Sequence, residues 1–292
     1  MRMLSAASPS GSTRARRAVA RRAARRSAEL ILCAGLKSSG STWLYNAVVQ
    51  LCRDRDARRS TTFSPGVLPF YAETVEDFPS AAARAAVLVV KTHVPSPGLV
   101  RVANFVNGKI FITVREPRDA IASVMQRFDH RFDGCLKEIA ASASRLVDIA
   151  SSARATILKY EDGFCSNPET VNTVGRELAI RSSKATRAKI FQALTPSRIQ
   201  RKIDTLMTRG LFGMSPGPDS FDPETQWHPG HVGDLRIGKY SELLSPKMQQ
   251  LVLDSTAAYC KKFGYRVEIS RPVVRRRVHS NHHRVASSPA ME

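Results

Sequence analysis

The feature that most constrains the fold is a run of small residues between a strand pattern and a helix pattern. Residues 30–34 are an apolar run typical of a buried strand, and apolar residues recur at helical spacing from Thr42 onward. Between them, residues 35–43 read GLKSSGSTW, with glycines at Gly35 and Gly40. A glycine-bounded turn from a strand into a helix presents backbone N–H groups to an anion. The segment therefore predicts a phosphate-binding loop.

The spacing of these two glycines matches the nucleotide-triphosphate loop G-x-x-x-x-G-K-[ST], with one difference. Ser41 follows the second glycine, where that loop has the lysine that grips the β- and γ-phosphates of ATP. The loop is therefore suited to a phosphate but lacks the cation expected for ATP. An ordinary strand-to-helix turn made of small residues is the alternative interpretation.

Strand patterns alternate with helix patterns along the chain. Strands are expected at residues 30–34, 86–90, 109–114 and 155–158, and helices at 42–52, 117–127, 135–151, 168–178 and 245–263. Residues 53–80 and 207–238 are expected to be irregular. The alternation predicts an α/β fold: a single domain with a central parallel sheet flanked by helices. In such sheets, ligands bind beyond the carboxyl ends of the strands.

The charge distribution separates two basic tails from a central part. The 292-residue chain has a formal net charge of +20, but residues 1–27 hold eight arginines without an acid, and 271–292 hold five arginines with one acid. We expect residues 1–28 to be a disordered basic arm, 29–268 the folded domain and 269–292 a disordered basic tail. The central part is moderately basic, which suits an anionic ligand, and nucleic acid is not expected as a partner.

The targeting signals and the cysteines predict a reducing compartment. The apolar region of a secretory signal does not follow the N-terminal arginines, and no apolar stretch in the chain is long enough to span a membrane. A cytoplasmic protein is therefore expected, although an arm rich in Arg, Ala and Ser leaves an organelle-targeting peptide as the alternative. The five cysteines are scattered without C-x-x-C spacing, which predicts neither a disulfide framework nor a metal site.

Residues with chemically active side chains follow the other three strand patterns. Lys91 and His93 follow the second strand, where an ammonium can stabilise a transferring anion and an imidazole can accept a proton. Arg115 follows the third strand, with Ser123 two helical turns later, and guanidinium groups pair well with phosphates. Tyr160 ends the fourth strand and can line a pocket. A structural histidine, a surface ion pair and a capping tyrosine are the plainer interpretations.

Taken together and in this order, these motifs resemble those of the sulfotransferases that use 3′-phosphoadenosine 5′-phosphosulfate (PAPS). The matching segments are residues 39–43 (SGSTW), 91–95 (KTHVP), the pair Arg115 and Ser123, residues 160–162 (YED) and residues 230–234 (GHVGD). In the family these are, in order, the 5′-phosphosulfate loop, the segment of the catalytic histidine, the 3′-phosphate site, the Y-E-D element and the C-terminal G-x-x-G-D loop that covers the nucleotide. The resemblance spans about residues 30–265.

The resemblance implies a fold like that of P-loop nucleotide kinases and the transfer of a sulfuryl group from PAPS to a hydroxyl or amine. The acceptor, whether a small molecule, a glycan or a lipid, is not implied. His93 would be the general base, Lys91 and Lys37 the catalytic cations, and no metal would be needed. The implied donor-binding residues are Ser38, Ser39, Gly40, Ser41, Thr42, Trp43, Arg115, Ser123, Tyr160, His228 and Gly230.

Two positions depart from the family pattern. Ser38 stands where the loop lysine is usual, and Lys37 precedes it. We expect Lys37 to reach into the site, with Lys91 as the alternative cation. His228 and Pro229 stand where the family has arginine and lysine, so the 3′-phosphate is expected to have fewer contacts or a contact from His228.

Two other functions stay open on the sequence. The first is a P-loop kinase of a small substrate, against which the absent lysine and the absence of an evident acidic magnesium site both count. The second is a non-catalytic protein that binds PAPS, another anion or RNA. The departure at Ser38 and the arginine-rich arms motivate that second alternative.

Overall fold

A five-stranded parallel sheet forms the centre of the protein. The computed structural model describes residues 28–59, 66–210 and 221–268. The strands are β1 (Glu29–Gly35), β2 (Val67–Tyr71), β3 (Val87–Thr92), β4 (Lys109–Val114) and β5 (Ala155–Lys159). Their order in the sheet is β2-β3-β1-β4-β5, and every neighbouring pair is parallel. The predicted α/β fold with a central parallel sheet is confirmed.

Helices cover both faces of this sheet. They are α1 (Ser41–Arg59), α2 (Pro97–Phe105), α3 (Pro117–Phe128), α4 (Phe132–Ser152), α5 (Glu169–Glu177), α6 (Lys184–Ala193), α7 (Pro196–Thr208), α8 (Tyr240–Leu243), α9 (Pro246–Ser255) and α10 (Ala257–Phe263). Helices α1 and α5–α7 pack on one face, and α2–α4, α9 and α10 pack on the other.

The central strand explains this two-faced burial. In β1, Ile31 and Cys33 point into the core under α1, while Leu30 and Leu32 point into the opposite core. Successive side chains of a strand alternate between the faces of its sheet, so a strand covered on both sides must be apolar throughout. This is why the strand was recognisable as a continuous apolar run.

Several elements differ from the predicted ones. Strand β2 lies in the segment expected to be irregular, and α2, α6 and α7 lie where no helix was predicted. The single helix predicted at 245–263 is wrong: it is two helices, α9 and α10, separated at Thr256. The hydroxyl of Thr256 donates to the Val252 carbonyl at 2.7 Å, which ends the first helix with a side-chain bond.

Some expectations concern residues outside the described ranges. The disorder predicted for the basic arm and tail falls there, except at residue 28, and so do residues 60–65 and 211–220 of the two segments expected to be irregular. Within the described ranges, no helix combines the length and the apolar character needed to cross a membrane.

Candidate functional site

A cavity of about 480 Å³ opens beyond the carboxyl ends of the strands. Most of the predicted site residues line it: Lys37, Ser38, Gly40, Ser41, Thr42, Trp43, Lys91, His93, Arg115, Ser123, Tyr160 and His228. They come from the segments after β1, β3, β4 and β5, and parallel strands bring their carboxyl ends to the same edge of a sheet. Two predicted residues, Ser39 and Gly230, do not line the cavity.

The loop between β1 and α1 is tightly wedged against β4. A Cβ atom on Gly35 would lie 2.1 Å from Thr113 Oγ1, so only glycine fits there. The Ser39 hydroxyl bonds to the Leu36 carbonyl (2.6 Å) and to the Thr113 hydroxyl (2.7 Å). The Ser39 backbone N–H also donates to the Leu36 carbonyl at 3.1 Å. Ser39 therefore fixes the loop from inside, and neither its hydroxyl nor its N–H is free for a ligand.

The loop places the first turn of α1 at the cavity. Gly40 has φ +80°, and its carbonyl accepts from the Leu44 N–H at 3.1 Å as the helix begins. The first N–H groups of a helix have no acceptor inside the helix, and Ser41 and Thr42 both line the cavity. These amides, together with the positive end of the helix dipole, form a site suited to an anion.

Arg115 places a second anion-binding group in the same cavity. It is 2% exposed, and its guanidinium donates to the carbonyls of Ser38 (3.0 Å) and Arg236 (2.8 Å). The guanidinium lies 4.1 Å from the ring centroid of Tyr160, which holds it by a cation–π contact. Its buried Nε has no partner among the described residues. Ser123, also buried, lines the cavity with it, so the pair retains donors for an anion.

Arg127 is a cavity residue that the sequence interpretation missed. It donates to the Ser123 carbonyl (3.2 Å), the His231 carbonyl (2.8 Å) and the Ser38 hydroxyl. Burial, with the charge of Arg115 adding to it, lowers the pKa of Arg127 to about 10. A signal was present: Arg127 follows Ser123 by four residues and so lies on the same face of helix α3.

His93 is held as a neutral base. Its Nδ1 lies 2.6 Å from the Gly35 carbonyl, which can only accept, so Nδ1 carries the proton and Nε2 keeps a lone pair. Burial, reinforced by the charge of Lys91, holds the pKa of His93 well below its usual range. The Ser142 hydroxyl donates to the His93 carbonyl at 2.7 Å and fixes its backbone. A neutral, oriented imidazole can accept a proton from a substrate.

Two lysines differ in how they meet the cavity. Lys91 is 7% exposed, and burial, together with the charge of Lys37, lowers its pKa to about 7. Lys37 lines the cavity, but its ammonium pairs with Glu138 on α4 at 2.6 Å in a half-exposed position. Lys91 is therefore the enclosed cation, and its charge acts directly on His93.

The other predicted residues have mainly supporting contacts. Trp43 is buried, and its indole N–H donates to the Leu194 carbonyl at 3.1 Å, although part of the ring lines the cavity. His228 lies 3.0 Å from His231 through ring nitrogens, and its ring centroid is 5.0 Å from that of Phe128. Gly230 has φ +73° and turns the loop beside helix α3.

Helix α3 anchors the loop that carries these histidines. Asp119 is fully buried and accepts from the backbone N–H groups of Gly238 (2.6 Å) and Tyr240 (3.1 Å). Lys239 is buried between Asp234 and Gln126, with both contacts at 2.9 Å. The C-terminal segment is thereby held against the same helix that supplies Ser123 and Arg127.

The fold and this cavity define an α/β protein with a site suited to an anion beside a neutral histidine. Residues 29–176 match the family model described as the sulfotransferase domain. The match covers half of the chain, which therefore belongs to the sulfotransferase domain family. The family and the enzyme class that the motifs predicted are thus confirmed. A comparison with curated protein sequences finds no match.

Solved structures support the fold. Retinol dehydratase in complex with androsterone and the inactive cofactor PAP is 14% identical, with a TM-score of 0.51 over 80% of this chain and 81% of that chain. Mouse sulfotransferase SULT7A1 complexed with PAP is 13% identical, with a TM-score of 0.53 over 80% and 84%. A complex of retinol dehydratase with retinol and PAP is 14% identical, with a TM-score of 0.52 over 80% and 82%. At these identities the likeness concerns the fold.

Proposed function

We propose that this protein transfers a sulfuryl group from PAPS to a hydroxyl or amine of an acceptor. One observation carries the proposal: the first turn of α1, the buried Arg115 and a neutral histidine all line the same cavity. Two anion sites beside one base suit a doubly phosphorylated donor. The PAP complexes of the two similar sulfotransferase-fold proteins are consistent with this donor.

The donor-binding roles follow from the available hydrogen-bond donors. The amides of residues 40–42 are suited to the 5′-phosphate, as at other helix N-termini, whereas the Ser39 amide is held by the Leu36 carbonyl. Arg115 and Ser123 are suited to the 3′-phosphate, which distinguishes this donor from ATP. Tyr160 stacks on Arg115 and keeps the guanidinium plane in place. Trp43 borders the space for the adenine but is fixed by its own bond to Leu194.

His93 is the proposed general base. Nε2 accepts the proton of the acceptor hydroxyl as its oxygen attacks sulfur, and the bond from sulfur to the bridging phosphate oxygen breaks. The products are the sulfated acceptor and 3′,5′-adenosine bisphosphate (PAP). Lys91 lies next to the base and stabilises the negative charge that develops on the transferred and leaving groups. Positioning and electrostatics supply most of such a rate enhancement, as in phosphoryl transfer.

The lining of the cavity favours an acceptor with an apolar body. Apolar side chains face it at Val124, Phe128, Ile199, Phe221, Leu235 and Ile237. Sites of this size lined mostly by apolar groups, with a few polar ones, are typical for small organic ligands. The similar structures contain androsterone or retinol beside PAP, which agrees with a small-molecule acceptor.

Calorimetric titration with PAP tests the donor assignment. The Arg115→Ala variant should lose roughly 2–5 kcal/mol of binding free energy, since it removes a buried charged contact. Arg145→Ala on the exposed face of α4 is the matched control and should bind as the wild type does. Equal affinity of Arg115→Ala and wild type contradicts the proposal, and tighter, magnesium-dependent ATP binding favours a kinase instead.

Transfer of labelled sulfate from PAPS to a panel of hydroxyl and amine acceptors tests the activity. With an acceptor in hand, His93→Gln should slow transfer about 100-fold to 10,000-fold while PAP affinity stays close to that of the wild type. An unchanged rate would exclude His93 as the base.

A further inference from the structure

Two arginines converge on Ser38 in the phosphate-binding loop. Arg115 donates to the Ser38 carbonyl at 3.0 Å, and Arg127 donates to the Ser38 hydroxyl. Both side chains line the cavity. Ser38 itself has φ +65°, so the loop adopts a left-handed backbone at the residue where the two guanidinium groups meet.

The two charges are not balanced by a nearby carboxylate. Within the described ranges, neither arginine is part of an ion pair. The contacts of Arg127 are with two carbonyls and a hydroxyl, all of them uncharged. The negative charge of Asp234 acts on Arg127, but this carboxylate is already shared between Lys239 and Arg236.

An anionic ligand would relieve the repulsion between Arg115 and Arg127. Like charges in a desolvated site disfavour each other, and this is one cause of the low pKa of Arg127, after burial. A ligand that brings one anionic group to each guanidinium would reduce the repulsion and supply each with a charged acceptor. The fold therefore holds the two guanidinium groups close together against their repulsion, and this pair of charges favours an anionic ligand.

The position of Arg127 identifies which part of the ligand it meets. Ser38 is in the loop that leads into the first turn of α1, next to the amides suited to the 5′ end of the donor. Ser38 also stands where the related sulfotransferases have the loop lysine. We infer that Arg127 binds the 5′-phosphate end of the donor and supplies the cation that this loop lacks. This inference rests on the proposed function, because it assumes that the donor is PAPS.

Nucleotides that lack one phosphate test the assignment directly. Calorimetry should show that Arg127→Gln weakens PAP and adenosine 5′-monophosphate by roughly tenfold to a hundredfold, the range for a charged hydrogen bond. Adenosine 3′-monophosphate should change by less than about threefold, because it lacks the group that Arg127 contacts. Equal losses with both monophosphates, or no loss with adenosine 5′-monophosphate, would overturn the inference.

The same titrations separate the inference from the proposed function. Arg115→Ala should show the opposite pattern, losing affinity for PAP and adenosine 3′-monophosphate. If Arg115→Ala behaves so while Arg127→Gln binds every nucleotide normally, only the role of Arg127 is wrong. If the wild type does not bind PAP, the proposed function itself fails, and the inference fails with it.

A further variant, Ser38→Ala, distinguishes binding by Arg127 from support of the loop. Ser38→Ala removes the hydroxyl that Arg127 holds but keeps the guanidinium, so PAP affinity should fall by about threefold at most. A loss as large as that of Arg127→Gln would mean that Arg127 only positions the loop.

If Arg127→Gln does not fold, Arg127→Lys gives the same comparison. It keeps the charge but loses the paired donors, so adenosine 5′-monophosphate should bind at least about threefold more weakly and adenosine 3′-monophosphate equally well. Unchanged affinity for adenosine 5′-monophosphate in this variant would contradict the inference.

Discussion

Lys91 and His93 lie close together at the end of β3, and the pKa of each is lowered. Burial is the main cause in each case, and the charge of Lys91 also acts on His93. A base with a lowered pKa is neutral at physiological pH and available to accept a proton. The arrangement supports function at a cost in stability, because the fold encloses an ammonium that has no carboxylate partner within residues 28–59, 66–210 and 221–268.

Replacing Lys91 with methionine should stabilise the protein at neutral and low pH. The pKa of Lys91 falls from 10.5 to about 7 on folding, so between these values the unfolded chain binds a proton that the folded chain does not. The free energy of unfolding of the wild type should therefore rise with pH across this window. At pH 6, Lys91→Met should be more stable by a few kcal/mol, on the order expected from such a shift.

Urea unfolding at pH 6 and pH 10 measures this difference. The stability gain of Lys91→Met should shrink toward pH 10, and Lys109→Met, at an exposed lysine on β4, should change stability little at either pH. A destabilised Lys91→Met at pH 6, or a difference that does not vary with pH, would show that burial of Lys91 is not costly. Sulfation should nevertheless be slower in the variant.

The loop from β1 to α1 is the element on which donor binding depends most. At Gly40 the backbone has φ +80°, and a Cβ atom would lie 2.6 Å from Cys165 Sγ and 2.9 Å from the Phe164 ring. Gly40→Ala should therefore destabilise the protein by about 1–3 kcal/mol and weaken PAP binding.

Gly134 offers a matched control for this substitution. It lies in the first turn of α4, and a Cβ atom there meets nothing within 4 Å. Gly134→Ala should be neutral or stabilising by up to about 1 kcal/mol, because alanine favours a helix. Thermal unfolding and PAP titration of both variants check the pair. A Gly40→Ala protein as stable and as tightly binding as the control would show that the loop tolerates a side chain.

The elements that were predicted from sequence are those whose signals are local. Strands β1, β3, β4 and β5 are within two residues of their expected bounds. Strands β1, β3 and β4 are buried on both faces and nearly apolar throughout, and β5, a half-buried edge strand, still has the apolar run ATIL. Strand β2 was missed because it is a half-buried edge strand that contains Pro69, and proline is tolerated only where a ladder donor is dispensable. Helix α6 was missed because it lacks a clear apolar stripe, with Ile190 its buried residue. Helix α7 does have such a stripe, at Ile199 and Ile203, and its signal was overlooked.

The candidate site was only partly predictable for the same reason. Lys91 lies at the end of β3, and His93 and Arg115 directly follow β3 and β4, so the α/β pattern alone brings them to one edge. The spacing from Ser123 indicates the helix face of Arg127, but its contact with Ser38 joins residues 89 positions apart, which that spacing does not encode. The pairing of Lys37 with Glu138 is likewise a contact between distant segments.

At the scale of the whole molecule, Asp119 joins the C-terminal segment to the sheet domain. It accepts from two backbone N–H groups, those of Gly238 and Tyr240, more than 100 residues away. Asp119→Ala would leave both N–H groups and the buried pocket without an acceptor. We expect amide hydrogen exchange in residues 234–244 to accelerate at least about tenfold, and PAP affinity to fall, while the central strands stay protected.

Asp148→Ala, at an exposed position on α4, is the control for that experiment. It should leave exchange in residues 234–244 unchanged. If Asp119→Ala also leaves it unchanged, the C-terminal segment is held by contacts other than this carboxylate.

Acceptor identity and a cytoplasmic or organellar location stay predictions, because neither is determined by the packing described above.

A crystal structure of the protein with PAP tests the central claim most directly. The account predicts the 5′-phosphate at the amides of residues 40–42 beside Arg127, the 3′-phosphate on Arg115 and Ser123, and His93 Nε2 facing the space next to the 5′-phosphate. A nucleotide bound elsewhere, or a 3′-phosphate that makes no contact with Arg115, would contradict it.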